Sequence, residues 1–161
     1  MSNLEKAIQI AVNAHTGQTR KNGTPYVLHP FRVMFRQTSE AAMIVGVLHD
    51  VVEDTDVTLD DLREAGFEAP IIQALALLSH AEATPYEEYI KRIACNPLAR
   101  SVKLADLEDN MDLREIPQVA ERDLSRTMKY HRAWKRLTRV EQADPGGSSE
   151  AADGLAGTPD P

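Results

Sequence analysis

Apolar residues recur at helical spacing along most of the chain. Ile8, Ala11, Val12 and His15 mark one face of a first helix over Leu4 to His15. The stretch "TGQTRKNGTPYVLHP" interrupts the pattern. Asn22-Gly23 is a turn signal there, and Pro25 and Pro30 keep the surroundings extended or restart a helix. A short helix is predicted from Phe31 to Gln37, after Pro30. Ser39 is placed to cap a strongly apolar helix running to about Glu53. Thr58 and Asp61 fit a capping box, and Gly66 fits the end of that helix. Pro70 to Leu78 reads as a further apolar helix. Thr84, Pro85 and Glu87 supply an N-cap, a first-turn proline and a capping-box acid for a helix ending near Cys95. Pro97 opens another through "LARSVKLADLEDNM", and Val119 to about Ala143 reads as a long amphipathic helix. Neither strand alternation nor an internal repeat is visible, so the expected class is all-α. The pattern stops at Asp144. Residues 1–143 are expected to form one domain, and 144–161, "DPGGSSEAADGLAGTPDP", to be a disordered tail too polar to offset its ordering entropy.

Composition narrows the function. A chain of 161 residues is long enough for one domain with a real core. Its net charge of -7 opposes a sequence-independent nucleic-acid or membrane-surface role, because both need a basic field. A local basic cluster could still hold a small anion. Arg122 to Arg139 carries many cations, but an amphipathic packing helix with a basic solvated face is the favoured reading, with Met128, Trp134 and Leu137 as its core anchors. The single cysteine, Cys95, rules out an internal disulfide framework. With no leader and no membrane-length apolar run, a cytoplasmic protein is expected.

The segment "VLHDVVEDT" carries the strongest chemical signal. On a helical wheel with His49 at zero, Glu53 falls at roughly 40°, Asp50 at roughly 100° and Asp54 at roughly 140°. Ala42, Gly46 and Met43 occupy the same arc one turn earlier. The polar face therefore opens only at the helix end, after a stretch that is apolar all round. Three carboxylates there oppose the helix dipole, which suggests a positive partner. A solvated helix end would suffice for two acids. A His-Asp pair followed at i+4 by a Glu-Asp pair favours a site.

A metal shell needs further ligands. His29 precedes Pro30, and Asp106 lies among Val102, Leu104, Ala105 and Leu107, sharing a face with Lys103 and Asn110. Imidazole and carboxylate together suit Mn, Fe, Zn or Ni. Singly, each residue is better read as structural. His15, His80 and His131 have no comparable context and receive no role.

Together, His29, His49-Asp50 and Asp106 form the H…HD…D pattern of the HD-domain metal-dependent phosphohydrolases. The words "AHTGQTRKNGTPYVLHP", "LHDVVEDT" and "VKLADLEDNM" resemble successive signatures of the hydrolase domain of the RelA/SpoT enzymes and of the stand-alone small alarmone hydrolases. The resemblance covers about Leu4 to Leu137. It implies an all-α HD-domain fold and a Mn²⁺-dependent enzyme, with other divalent transition metals as alternatives. The reaction it implies is removal of the 3′-pyrophosphate from (p)ppGpp or (p)ppApp. By the same resemblance His29, His49, Asp50 and Asp106 would ligate the ion, Glu53 and Asp54 would handle the attacking water, and Arg20, Lys21 and Asn110 would contact the nucleotide. Leu107 and Asp112 depart from the family pattern, which has basic residues there. They motivate an alternative, phosphohydrolysis of another nucleotide such as a nucleoside monophosphate or the 2′-phosphate of NADPH. A nucleotide-binding module with a weak site is a third reading. The long enzymes' synthetase motifs have no room in this chain.

Overall fold

A computed structural model describes residues 3–79 and 83–143. The expected tail and His80 lie outside the described residues. Among the described residues the regular elements are helices, with an isolated bridge between Thr19 and Pro25 and no strand. They run through α1 (Asn3–Ala14), α2 (Leu28–Phe35), α3 (Glu40–Leu48), α4 (Val51–Asp54), α5 (Leu59–Glu64), α6 (Ala69–Leu78), α7 (Tyr86–Ala94) and α8 (Pro97–Asn110). A 3-10 turn (Leu113–Glu115) and α9 (Glu121–Ala143) follow. The all-α class read from the periodicity is borne out.

Helix α3 is the centre. Ile44, Val45, Val47 and Leu48 are buried in the core, as an all-round apolar helix requires. It packs against α1, α2, α6 and α8. At Gly46 an added Cβ would stand 3.1 Å from Met34 Cα, so the missing side chain lets α2 and α3 approach closely. That approach brings the start of α2 to the end of α3.

Several boundaries differ from expectation. Helix α2 begins at Leu28, ahead of Pro30, and ends at Phe35. The N–H that proline lacks would have no partner in a helix's opening turn, so Pro30 is tolerated there and His29 sits on the helix. The apolar helix capped by Ser39, whose side chain accepts from the Ala42 amide, stops at Leu48 rather than near Glu53. In an unbroken helix the Gly46 carbonyl would be the partner of Asp50's amide; His49 Nδ1 donates to it at 2.8 Å. The chain turns at His49-Asp50 and restarts as α4.

The Thr58–Asp61 capping box is present, and Gly66 follows with φ +89°. Before α7 the cap is Pro85, one residue after the expected Thr84, and α7 starts at Tyr86. Asn96 caps α8 by accepting from the Ala99 amide. Helix α9 begins two residues after the expected Val119. Leu137 is its fully buried anchor and Trp134 packs at the core's edge, but Met128 is 62% exposed and anchors nothing.

Candidate metal centre

Helices α2, α3 and α8 each deliver a buried polar group to one point. His29, on the first turn of α2, His49, just past α3, and Asp106, on α8, form a group that could hold a metal ion. All three are at least nine-tenths buried. His29 Nε2 lies 3.2 Å from Asp106 Oδ1 and 3.4 Å from Asp50 Oδ2. His49 Nε2 lies 3.0 Å from Asp50 Oδ2 and 3.6 Å from Asp106 Oδ1. Asp50 thus lies beside both imidazole nitrogens, but the mutually close group comprises His29, His49 and Asp106 without it.

The surroundings orient each donor. His49 Nδ1 donates to the Gly46 carbonyl, which turns Nε2 toward the acids. That Nε2 is buried and makes no well-directed hydrogen bond, which is compatible with a metal-ligating role. His29 Nδ1 lies 2.6 Å from Asp109 Oδ2. Asp106 accepts from Lys103 Nζ at 2.8 Å and from Asn110 Nδ2 at 2.6 Å, the i−3 and i+4 neighbours on its helical face. Asp50 accepts from the Tyr26 hydroxyl at 2.6 Å.

The carboxylates dominate the electrostatics of the cluster. Burial disfavours a charged imidazolium at both histidines, yet the neighbouring carboxylates outweigh it. His49 is raised to about 9, chiefly by the charge of Asp50, and His29 is raised well above its ordinary value by bonds to Asp106, Asp109 and Asp50. Burial likewise opposes ionisation of Asp106, but Lys103 and the two histidines hold it well below the usual carboxylate range. A protonated ring has no lone pair, so an ion binding here would replace protons on the imidazoles. The donor set, mixed nitrogen and oxygen, fits a divalent transition metal.

Two cavities flank this cluster and share Tyr26 and Asn110 in their walls. One, of about 310 Å³, is lined by His49, Asp50, Asp106 and Glu53, with Tyr86, Lys129 and Tyr130 across from them. The other, of about 300 Å³, is lined by Arg20, Lys21 and His29, with Asp112, Glu115 and Arg126. Glu53 therefore faces the same space as the metal cluster. Asp54 is exposed, and the Tyr26 hydroxyl reaches it at 3.2 Å. Partial desolvation by its neighbours and the charge of Asp50 nevertheless raise its pKa. Arg20 and Lys21 line the second cavity and are already bridged, Arg20 to Asp109 and Lys21 to Asp123, each at 3.1 Å.

Leu107 is 1% exposed, belongs to the core and lines neither cavity. Asp112 does line a cavity, with its carboxylate held by Arg114. Asp109 and Tyr26 went unnoticed in the sequence. The signal for Asp109 was its i+3 spacing from Asp106, and for Tyr26 its place three residues before His29.

No family model matches the chain. A GTP pyrophosphokinase of Streptomyces antibioticus is 36% identical over 120 residues, 67% of this chain and 14% of that protein. A guanosine-3′,5′-bis(diphosphate) 3′-pyrophosphohydrolase of Aquifex aeolicus is 29% identical over 119 residues, 67% of this chain and 17% of that protein. The chain thus spans less than a fifth of the length of these curated relatives. Among solved structures, a metazoan orthologue of SpoT, described as hydrolysing ppGpp with a role in starvation responses, aligns with TM-score 0.70 at 23% identity. That alignment covers 89% of this chain and 96% of the other, and it shows a shared helical fold. By fold and by sequence, the chain is similar to the SpoT-type hydrolases, as its three motif words implied.

Proposed function

We propose that this chain is a metal-dependent hydrolase that removes the 3′-pyrophosphate of (p)ppGpp or (p)ppApp, and that residues 1–143 are the unit that does so. The observation that carries the reading is the convergence of His29, His49, Asp50 and Asp106 beside a cavity lined by Arg20 and Lys21. The printed names of the relatives point to the same chemistry. Mn²⁺ is the favoured ion. An ion of this kind, when bound, supplies Lewis-acid polarisation of a phosphoryl oxygen and acidification of water.

The chain's own groups supply the rest. Glu53 faces the cluster and accepts the proton of the attacking water. Asp54 lies 3.2 Å from the Tyr26 hydroxyl and keeps that edge polar. Arg20 and Lys21 offset phosphate charge, exchanging part of their bonding to Asp109 and Asp123 for the substrate. Asn110 orients Asp106 and borders the nucleotide. Water adds to the phosphorus, the bond from phosphorus to the 3′-oxygen breaks, and pyrophosphate leaves as that oxygen regains a proton.

Purified protein with Mn²⁺, incubated with ppGpp and with ppApp, should release pyrophosphate from at least one, resolved by ion-exchange chromatography. Its absence from both, with the ion bound, would overturn the reading. Glu53→Gln should lower turnover by about 10²- to 10⁴-fold with ion affinity unchanged.

A second reading keeps the metal chemistry and changes the leaving group. Asp112 and Glu115 share the cavity wall with Arg20 and Lys21, and acids there oppose a doubly phosphorylated 3′ group. Orthophosphate released from a nucleoside monophosphate or NADPH, with no pyrophosphate from the alarmones, would favour it.

A further inference from the structure

Asp109 is a buried carboxylate in contact with one metal-ligand candidate. It is 4% exposed. Its Oδ2 meets His29 Nδ1 at 2.6 Å, Arg32 Nη2 at 3.0 Å and Arg20 Nη1 at 3.1 Å, and its Oδ1 accepts from Arg32 Nε at 2.6 Å. We propose that Asp109 is a positioning residue whose carboxylate, fixed by the two-point bond from Arg32, sets the tautomer of His29 so that Nε2 offers its lone pair to a divalent ion. The inference rests on the reading of His29 as a ligand.

The argument is one of donors and acceptors. An ionised carboxylate only accepts, so the 2.6 Å contact requires a proton on Nδ1. In the neutral ring the lone pair then lies on Nε2, the atom that faces Asp50 and Asp106. The guanidinium of Arg32 grips both carboxylate oxygens and leaves Asp109 little freedom to rotate.

His49 makes the contrast. Its Nδ1 donates to a backbone carbonyl, a partner that no side-chain substitution removes. Of the two imidazoles, only His29 has its tautomer set by a side chain. Asp109→Asn is close in size, but its amide must set N–H groups against either His29 Nδ1 or the guanidinium. Donation to Nδ1 would move the ring proton to Nε2 and remove one ligand. Asp109→Ala removes the acceptor altogether. A carboxylate supporting a ligating histidine typically contributes about 10- to 100-fold in metal affinity, which sets the expected loss.

The test uses the full chain and the metal alone. Zn²⁺ and Mn²⁺ affinities are measured by competition with a chromophoric chelator for wild type, Asp109→Asn and Asp109→Ala, with circular dichroism to establish folding. The expected result is affinity about 10- to 100-fold lower in both variants at wild-type helicity. Should the variants fail to fold, the wild type decides. A long-range ¹H–¹⁵N spectrum of the Zn²⁺-loaded protein should show His29 protonated at Nδ1 and metal-bound at Nε2. Unchanged affinity in folded variants, or a His29 ring metal-bound or unprotonated at Nδ1, would overturn the proposal. If wild type binds neither ion, the hydrolase reading falls with it. If wild type binds and the variants bind equally well, only the role of Asp109 falls. Failure to turn over an alarmone, with the affinity loss observed, leaves Asp109 in place and removes only the substrate.

Discussion

At Gly46 an added methyl group would stand 3.1 Å from Met34 Cα and 3.3 Å from its amide nitrogen. Backbone atoms cannot swing aside as a side-chain tip can, so Gly46→Ala must part α2 from α3. The expected cost is about 1–3 kcal/mol, read as a lower urea midpoint. Metal affinity should fall as well, because His29 and His49 sit on the two sides of that contact. An unchanged midpoint would mean the helices separate freely there. The same scale shows what sequence reasoning could reach. His29, His49, Asp50 and Asp106 stand out in the sequence through the motif words that resemble a known family, and for Asp106 also because a carboxylate in apolar surroundings needs a partner. Asp109 was not: its spacing from Asp106 marks a shared face, but its partner His29 lies 80 residues away. Leu107, where the family pattern has a basic residue, lies in the core. One residue along a helix turns the side chain by about 100°, enough to carry it from the cluster beside Asp106 into the core.

Among the elements, the capping box ahead of α5 was read correctly because its signal is local: Thr58 and Asp61 bond each other's backbone within a single turn. Thr58→Ala should cost about 1 kcal/mol in chemical denaturation. Asp61 adds a pH dependence. The hydroxyl and amide of Thr58 lower its pKa in the folded state. Its contribution is therefore fully present above the ordinary aspartate range and is lost as pH falls through the lowered value. The stability gap between wild type and Asp61→Asn should accordingly narrow in acid. The end of α3 depended on more than local pattern. The wheel carried the helix to Glu53, but His49 engages the Gly46 carbonyl and the chain turns at the site. On α9 the periodicity was sufficient and was misapplied. Met128 and Leu137 stand nine residues apart, which sets them about 180° apart on a helix, so one anchor excludes the other.

At the scale of the whole molecule, α2, α3 and α8 meet at the candidate metal cluster, so an ion bound there would join segments far apart in the chain. Occupancy should then stabilise the fold by mass action. At about 100 times its Kd, Mn²⁺ should add about 2.7 kcal/mol. For a chain of this size that is a rise in Tm of about 5–10 °C over chelator-treated protein in a calorimetric scan. His49→Ala should abolish the increment. A Tm indifferent to Mn²⁺ in wild type would mean that the cluster does not take the ion. No helix among the described residues is long and apolar enough to cross a membrane.

The sequence alone determined the all-helical class, the central apolar helix, most of the caps and the four candidate ligands. Each of these follows from periodicity, from backbone preference within a turn, or from motif words that resemble a known family. The tertiary structure decided which groups orient those ligands and which line the cavities. It set Asp109 and Tyr26 against His29 and Asp50, paired Arg20 and Lys21 with acids, and sent Leu107 into the core. The physical reason is that a hydrogen bond across 80 residues is made by the packing of α2 on α8, and local spacing carries no record of which helix faces which.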